Sequence, residues 1–355
     1  MPESLRDHTT LRLGGPARDW VVAQTEAELI EAVSAADSAG EQVLILGGGS
    51  NLVIADDGFD GTVVEVATRG IAADVDGPDG ASCEIGAGPD DPTCGGAMVT
   101  VAAGERWDDF VAHAAARAWI GVEALSGIPG SVGATPIQNV GAYGQEVGQT
   151  IAQVRVWDRT LHGIRTFAAA DCHFSYRHSR FKADPDRHVV LSVTFQLRQG
   201  TLGEPIAYAE LARALGVEVG KRAPLAAVRQ AVLDLRRGKG MVLDETDHDT
   251  WSAGSFFTNP FVDAEQLPEG APAYPQADGT VKTSAAWLIE QAGYGKGYPG
   301  SGPVTLSTKH TLALTNRGDA TTADLLALAR EIRDGVRKKF GIELVNEPVT
   351  VGVAL

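Results

Sequence analysis

The stretch of sequence that decides the fold is residues 43–54, which read VLILGGGSNLVI. Its two short apolar runs have the length and composition of buried β-strands, and a glycine-rich segment joins them. Just before it, residues 25–39 show the apolar spacing of a helix. Thr25 and Glu28 have the spacing of a capping box, and Gly40 can end the helix. A helix, a strand, a tight glycine loop and a second strand therefore form the first organised unit.

The glycine-rich segment of this unit is a candidate ligand-binding loop, Gly47-Gly48-Gly49-Ser50-Asn51. Backbone N–H groups without side chains in the way can approach a pyrophosphate closely, and Ser and Asn add donors. The loop lacks the Lys-Ser/Thr of a P-loop and the GxGxxG that leads into a Rossmann helix. Taken alone, it is equally consistent with a tight hairpin turn.

A second glycine-rich segment spans residues 126–144, SGIPGSVGATPIQNVGAYG. Glycine at this density suits a backbone that lies against a flat ligand, because any Cβ would stand in the way. The alternative is a buried glycine-rich crossover between elements. Two such loops in one chain, each with polar side chains, favour a large cofactor that carries a diphosphate.

The composition narrows the class of protein. Among 355 residues, 30 Lys+Arg against 46 Asp+Glu give a net charge of −16, which argues against binding to nucleic acid or an anionic membrane surface. No apolar run reaches the length of a membrane span, and the first residues lack a signal-peptide pattern. Cys83, Cys94 and Cys172 have no CxxC spacing, so neither a disulfide framework nor a metal site is indicated. We expect a soluble, cytoplasmic α/β or α+β protein.

The rest of the chain shows further periodic segments and one composition shift, near Gly200-Thr201. We predict helices at 107–118, from 225 to 235, from 284 and from 325 to 340, a strand with one wet face at 189–197, a strand at 345–353, and hairpins with a variable loop at 69–100. Gly341 is a good stop for the last helix.

A cluster of basic side chains occupies residues 174–182, FSYRHSRFK. Arg can form a bidentate fork to a carboxylate, and Lys or Arg can neutralise phosphate. The alternative is a solvated basic face.

A further turn, residues 252–260, reads SAGSFFTNP and places a serine after a glycine, beside two aromatic residues. It lacks the GxSxG pattern of the acyl-transfer elbow, so a buried turn serine is the default interpretation. Glu347 would by itself be a surface acid.

Taken together and in this order, these segments resemble the UDP-N-acetylenolpyruvoylglucosamine reductases, flavoenzymes of bacterial peptidoglycan synthesis. The matching stretches are residues 10–17, 46–53, 103–105, 126–144, 175–177, 253–260 and 287–289. Seven collinear blocks across almost the whole chain make a chance similarity implausible. The chain resembles the branch of the family that has a substrate-binding tyrosine loop.

The resemblance implies an α+β fold with three parts. An FAD-binding half of the PCMH type has two α+β subdomains, residues 1–68, joined by the C-terminal strand in 342–355, and residues 69–200. A third α+β subdomain, residues 201–341, binds the substrate.

The resemblance also implies the ligands and the residues that bind them. Non-covalent FAD is the cofactor, NADPH the co-substrate and a UDP-sugar the substrate. The sequence does not give the oligomeric state, for which we favour a monomer. FAD-binding positions are Gly47, Gly48, Gly49, Ser50, Asn51, Ser126, Ile128, Gly130, Ser131, Gly133 and Ala134, and substrate-binding positions are Tyr176, Tyr208, Lys239 and Asn259.

The catalytic positions implied by the resemblance are Arg177, Ser255 and Glu347. In the family's reaction, hydride passes from N5 of reduced FAD to C3 of the enolpyruvyl group. Arg177 would then stabilise charge at the adjacent carboxylate, with help from Glu347, and Ser255 would protonate C2.

Two alternatives remain open at this point. An FAD-dependent alcohol oxidase of the same architecture often tethers flavin through His or Cys in the glycine-rich region, and residues 126–144 contain neither. A sugar-nucleotide binding module without catalysis would make the pairing of Arg177 with Ser255 a coincidence.

Overall fold

A computed structural model describes residues 3–75 and 95–355 of the chain, which pack into two compact units. Unit 1 comprises Met1–Asp19, Gly48–Gly61 and Gly238–Leu355, and unit 2 comprises Trp20–Gly47 and Thr62–Arg237. Each unit is therefore assembled from segments that are separated along the chain. The boundary expected near Gly200-Thr201 lies inside unit 2, and the three-part division stays a prediction.

The described residues contain both helices and strands throughout. The helices are α1 (Glu26–Ala39), α2 (Trp107–Ala116), α3 (Arg180–Ala183), α4 (Ala209–Leu215), α5 (Leu225–Gly238), α6 (Ala285–Gln291) and α7 (Thr322–Phe340). The strands are β1 (Ala17–Ala23), β2 (Val43–Leu46), β3 (Leu52–Ile54), β4 (Phe59–Val66), β5 (Ile71–Val75), β6 (Gly96–Ala102), β7 (Trp119–Ile120), β8 (Gly141–Ala142), β9 (Gln145–Glu146), β10 (Ile151–Asp158), β11 (Gly163–Ala168), β12 (His188–Gln199), β13 (Phe261–Val262), β14 (Tyr274–Pro275), β15 (Val281–Lys282), β16 (Val304–Leu306), β17 (Leu314–Asn316) and β18 (Val349–Val351).

Unit 2 is built on an antiparallel sheet in the order β11-β10-β12-β6-β5, with β7 paired to the end of β12. Helix α2 packs on this sheet, and its Phe110 ring lies 4.9 Å from that of Phe195 between ring centroids. A smaller sheet has the order β1-β4-β2, in which β2 and β4 run parallel with Val43 opposite Thr62. A second apolar cluster joins α4 and α5 through Leu211, Val228 and Val232.

Unit 1 is built around α7, whose buried face includes Leu325 and Ile332. Thr321 and Asp324 form a capping box at its start, and Gly341 ends it in the left-handed conformation. Helix α6 and the β16–β17 hairpin share its core. Strand β18 pairs in parallel with β3, with Val349 opposite Leu52.

Most of the predicted elements are confirmed, and three predictions need correction. Strand β12 also buries Val190 and Thr194, on the face opposite its apolar alternation, so the single wet face is wrong except at its end. Helix α2 ends at Ala116, since Ala118 has a left-handed φ of +58°. The C-terminal strand is limited to Val349–Val351, where a partner strand is available.

Part of the loop region predicted at 69–100 lies outside the described residues. Strands β5 and β6 on either side form an antiparallel pair, with Ala73 opposite Val99. In the described part of the chain, no helix has both the length and the apolar character that crossing a membrane requires.

Candidate active site

The first glycine-rich loop follows the carboxyl end of β2, a strand that pairs in parallel with β4. Ligands of open sheets bind beyond the carboxyl ends of parallel strands. At Gly47 a Cβ would overlap the Ser131 Oγ, and at Gly49, where φ is +57°, a Cβ would overlap the carbonyl oxygen of His8. Backbone packing therefore requires the absence of a side chain at Gly49, whereas at Gly47 the close neighbour is a hydroxyl that can rotate.

The second glycine-rich loop lies beside the start of the first one, because Ser131 faces Gly47 within unit 2. Its course is fixed by hydrogen bonds to neighbouring backbone. Gly133 N donates to Ala103 O at 2.8 Å, and the α2 residue Trp107 donates its backbone N–H to Gly130 O at 3.0 Å. Gly130 has a φ of +116°, which only glycine adopts readily.

The two loops have a donor set that fits a dinucleotide cofactor. Neither 47–51 nor 126–134 contains an acidic side chain, although the chain carries a net charge of −16. The hydroxyl of Ser131 lies beside Gly47 at the end of β2, within unit 2. We call the predicted FAD positions of the two loops the glycine-rich cradle; in unit 2, Gly47 lies beside Ser131, and 48–51 belong to unit 1.

We predict that Gly133→Ala weakens cofactor binding. The new Cβ would lie 2.6 Å from the Ala103 Cβ and 3.0 Å from its Cα, and neither atom can move without shifting the backbone. The loop must then move, at a cost of about 1–3 kcal/mol. Flavin fluorescence released from the purified variant measures the loss. The control is Gly163→Ala, whose Cβ has no neighbour nearer than 3.7 Å, and equal flavin retention in both variants would contradict the prediction.

Arg177 lies in a tight turn within unit 2. Ser175 and His178 exchange two backbone hydrogen bonds, each of 3.1 Å, so that Tyr176 and Arg177 form the turn between them. Arg177 has a φ of +53°, a conformation in which the third position of a turn normally holds Gly or Asn. A non-glycine residue held in this region stores of the order of 1 kcal/mol, and such residues cluster at functional sites.

The guanidinium of Arg177 is oriented by two neighbours. Its Nη2 donates to the Gly141 carbonyl oxygen at 2.8 Å, and its Cζ lies 5.2 Å from the centroid of the Tyr176 ring. A Cβ at Gly141 would lie 3.2 Å from Arg177 Nη1 and 2.8 Å from Glu146 Cγ, so glycine is required there. The fork is thus held by backbone of the second glycine-rich segment.

The other cations of the basic cluster have structural partners. Lys182 Nζ donates to the Arg177 carbonyl oxygen at 3.1 Å, and Arg180 donates to the carbonyl oxygen of Asp171 at 2.6 Å. Arg180 also stacks on Phe167 at 4.1 Å from the ring centroid. Arg177 differs from these two in its left-handed φ and in its bond to Gly141 of the second glycine-rich segment, which the sequence pattern does not reveal.

Unit 1 brings Ser255 and Glu347 together through backbone pairing. Glu347 N donates to Phe256 O at 2.8 Å, and Phe257 forms an antiparallel bridge with Asn346. The segment that carries Ser255 therefore runs beside the one that carries Glu347. Asn51, in the glycine-rich loop, accepts a hydrogen bond from Val349 N at 2.9 Å, which places that loop against the same segment.

Residues that the sequence interpretation missed hold the Ser255 turn in place. The side chain of Thr10 donates to the Ser252 carbonyl oxygen at 2.7 Å, and the backbone N–H of Asn316 donates to the Trp251 carbonyl oxygen at 3.0 Å. The available signal was weak: Thr10 lies in the matching stretch 10–17, but nothing local in the sequence ties Asn316 to position 255.

A buried carboxylate, Asp249, lies just before the same turn in the chain. Asp249 accepts hydrogen bonds from the Thr308 N–H at 2.9 Å, from the Thr308 hydroxyl and from Arg317 Nη1 at 2.9 Å. Burial alone would raise the pKa of Asp249, but the hydrogen bonds from Thr308 and Arg317 outweigh it, and the pKa is lowered. Folding therefore stabilises the ionised form of the Asp249 carboxyl group.

We predict that Asp249→Asn lowers the free energy of unfolding by about 2–4 kcal/mol at neutral pH, because it breaks a buried pair. A lowered pKa in the folded state means that the contribution is complete above the unfolded-state pKa of about 3.9 and is lost as the pH falls through the lower folded pKa. Denaturant unfolding from pH 7 to pH 3 measures it. A difference between wild type and variant that stays constant over this range would contradict the prediction, and Asp57→Asn, at an exposed aspartate of the same unit, serves as control.

The predicted substrate-binding residues lie in both units. In unit 2, Tyr208 precedes α4 and is 49% exposed, with its ring edge-on to Tyr143 at 5.7 Å between centroids. In unit 1, Lys239 follows α5, and the Asn259 Oδ1 accepts a hydrogen bond from the first N–H of α6, at Ala285, at 3.0 Å. Asn259 thus has a structural partner for one end of its amide.

Two family models match the chain. A model described as an FAD binding domain matches residues 19–161, which contain both glycine-rich loops. A model described as the C-terminal domain of UDP-N-acetylenolpyruvoylglucosamine reductase matches residues 245–351, which contain Ser255, Asn259 and Glu347.

Curated relatives match over nearly the full length. The UDP-N-acetylenolpyruvoylglucosamine reductase of Cutibacterium acnes is 58% identical over 349 residues, covering 98% of this chain and 89% of the relative. The enzyme of the same name from Streptomyces avermitilis is 57% identical, covering 98% of this chain and 93% of the relative. A crystal structure of the corresponding reductase from Thermus caldophilus has a TM-score of 0.61 at 22% identity, covering 99% of this chain and 98% of that one, which supports the fold.

Proposed function

The chain belongs to the UDP-N-acetylenolpyruvoylglucosamine reductase family, and on that premise we propose that it uses FAD and NADPH to reduce the enolpyruvyl group of UDP-N-acetylglucosamine enolpyruvate. The product is UDP-N-acetylmuramate, for peptidoglycan synthesis. The observation that carries the proposal is identity above 50% to reductases of this name over 98% of the chain. The glycine-rich loops, which fit a dinucleotide, support it independently.

FAD bound in this cradle would supply the hydride for C3, having taken it from NADPH. The residues that we assign to it are those of the two glycine-rich loops, with the Ser131 hydroxyl and backbone N–H groups toward the diphosphate. The rest of the chemistry falls to side chains of this chain, and these assignments are proposals.

Arg177 is assigned to the substrate carboxylate. When C3 accepts a hydride, negative charge develops at C2 and spreads into that carboxylate, and a guanidinium fork can stabilise it with two parallel hydrogen bonds. The hydrogen bond from Nη2 to the Gly141 carbonyl oxygen fixes the plane of the fork in advance. Glu347 is assigned to the same end of the substrate, where it orients groups or donates a hydrogen bond if protonated.

Ser255 is assigned as the group that protonates C2. A free serine is a weak acid, but the carbanion-like centre is strongly basic, so placement matters more than the pKa of the hydroxyl. The turn is held at Ser252 and Trp251 by Thr10 and Asn316, which limits the movement of the hydroxyl.

Tyr176, Tyr208, Lys239 and Asn259 are assigned to the UDP-sugar. Tyr208 is exposed and stands at the start of α4, so its ring is available to a ligand. Lys239 supplies positive charge for the diphosphate. For Asn259 the Nδ2 amide is the part assigned to the ligand, because Oδ1 already accepts the Ala285 N–H.

The test separates the reductase from the alcohol oxidase of the same architecture. Purified holoenzyme should lose its flavin absorbance when NADPH is added without oxygen and recover it when the enolpyruvyl sugar nucleotide follows. Recovery with oxygen but not with the sugar nucleotide would favour the oxidase. Absence of flavin after reconstitution would exclude both and leave the binding module.

We also propose that the enzyme acts as a cytoplasmic monomer. Its net charge of −16 opposes binding to nucleic acid and to anionic lipid, and its proposed substrates, NADPH and a UDP-sugar, are soluble metabolites. Light scattering on the purified protein measures the oligomeric state, and a mass of twice 37.2 kDa would contradict the monomer.

A further inference from the structure

Asn139 is a buried residue at which three segments of unit 2 meet. Only 1% of it is exposed. Its Nδ2 donates to the Ser175 carbonyl oxygen at 3.1 Å and to Glu146 Oε2 at 2.7 Å, while its Oδ1 accepts a hydrogen bond from Gly148 N at 2.9 Å. Both donors and the acceptor of one amide are therefore used inside the protein.

The partners of Asn139 are the supports of Arg177. Ser175 is the residue that closes the two-residue turn containing Arg177, through its paired hydrogen bonds with His178. Glu146 lies in the hairpin of β8 and β9, directly opposite Gly141, whose carbonyl oxygen accepts the bond from Arg177 Nη2. One amide thus fixes both the backbone that carries the guanidinium and the backbone that orients it.

The local backbone is adapted to this arrangement. Asn139 has a φ of +48°, in the left-handed region that Asn tolerates better than most residues. At Gly148 a Cβ would lie 2.8 Å from Asn139 Oδ1, so only glycine lets its N–H come this close. Arg177 has a φ of +53°, and a strained residue persists only where its surroundings determine it.

We propose that Asn139 is a positioning residue for the reduction step: it does not touch the substrate but holds Arg177 in the orientation that receives the substrate carboxylate. The proposal rests on the role of Arg177 given above. Because Arg177 acts when charge develops on the substrate, we expect Asn139 to matter in the second half-reaction, the reoxidation of flavin by the substrate.

The first test is Asn139→Asp, which keeps the size and the tolerance of a left-handed φ. The carboxylate that replaces the amide would face Glu146 Oε2 and the Ser175 carbonyl oxygen, and repulsion would displace the turn. We expect reoxidation of reduced flavin by the enolpyruvyl sugar nucleotide to slow about 100-fold, as for displacement of a reacting group by 1 Å. Flavin reduction by NADPH and flavin content should change less than about threefold, a split that general loss of structure would not produce.

Asn139→Gly is the second variant, for the case in which the buried acid prevents folding. Glycine adopts the same φ without strain and removes the amide without adding charge. We expect the same selective slowing of reoxidation.

The decisive measurement combines each variant with Arg177→Lys. If Asn139 acts through Arg177, the double variant should be no slower in reoxidation than Arg177→Lys alone, because the group being positioned is already lost. The matched control is Asn316→Asp, the same change at a fully buried asparagine that donates to the Leu11 and Arg12 carbonyl oxygens in unit 1. We expect any slowing of reoxidation caused by Asn316→Asp to multiply with the slowing caused by Arg177→Lys.

The outcomes test the role of Asn139 and the role of Arg177 separately. If Arg177→Lys is slow and the Asn139 losses multiply with it, or if Asn139 variants slow both half-reactions equally, the positioning role is overturned and the role of Arg177 stands. If Arg177→Lys reoxidises at the normal rate, the role of Arg177 is wrong and the inference falls with it.

Discussion

Ser255→Ala should leave flavin reduction by NADPH almost unchanged and slow reoxidation by the enolpyruvyl sugar nucleotide about 10²- to 10⁴-fold. The first half-reaction needs no proton at C2 of the substrate, whereas the second cannot finish without one. A positioned general acid contributes a factor of this size, and no water molecule would be held as well as a hydroxyl on a turn fixed at both Trp251 and Ser252. Stopped-flow absorbance of the flavin resolves the two half-reactions.

The control for this variant is Ser284→Ala in the same unit. Ser284 caps α6, its side chain accepting the Trp287 N–H at 3.2 Å, and its loss should cost about 1 kcal/mol of stability without changing either half-reaction. Equal slowing of both half-reactions in Ser255→Ala would show that the hydroxyl is not the proton donor at C2.

Arg177→Lys should slow reoxidation about 10²- to 10³-fold although the charge is kept. Lysine offers a point charge on a flexible stem, and its ammonium cannot bind the Gly141 carbonyl oxygen and still present two parallel donors to a carboxylate. The size of the effect is that of removing one preorganised donor from a developing anion. Single-turnover rates and the KM for the sugar nucleotide measure it.

Arg180→Lys is the matched control, since it makes the same change within the same basic cluster. The guanidinium of Arg180 binds the Asp171 carbonyl oxygen and stacks on Phe167, so we expect reoxidation at the normal rate. If both variants were equally slow, the cluster would act through its total charge, and the specific role of Arg177 would be wrong.

Short sequence patterns correctly predicted helices whose starts and stops are set by neighbouring residues. The capping box at Thr25 and Glu28 and the glycine stop at Gly40 are present as expected for α1. The helix predicted from 325 to 340 is present as Thr322–Phe340, and its stop at Gly341 is as predicted. These features depend on side chains within one or two turns, and that information is complete in a short window of sequence.

Features that depend on contacts between residues far apart in the sequence could not be predicted from local patterns. The alternation in β12 suggested a wet face, but Val190 and Thr194 on that face are buried by packing within the folded unit. The choice of Arg177 among several cations rested on the family resemblance, because the left-handed φ and the bond to Gly141 exist only in the folded chain. The buried amide of Asn139 gave no signal beyond its place in a glycine-rich segment.

The parallel pairing of β18 with β3 has a consequence for biosynthesis. Leu52 leaves the ribosome about 300 residues before Val349, its partner, and all of Thr62–Arg237 emerges in between. Because domains fold as units during translation, the intervening segments can form their own core before the partner strand of β3 has been synthesised. We infer that the glycine loop just before β3 reaches its final shape only late in synthesis.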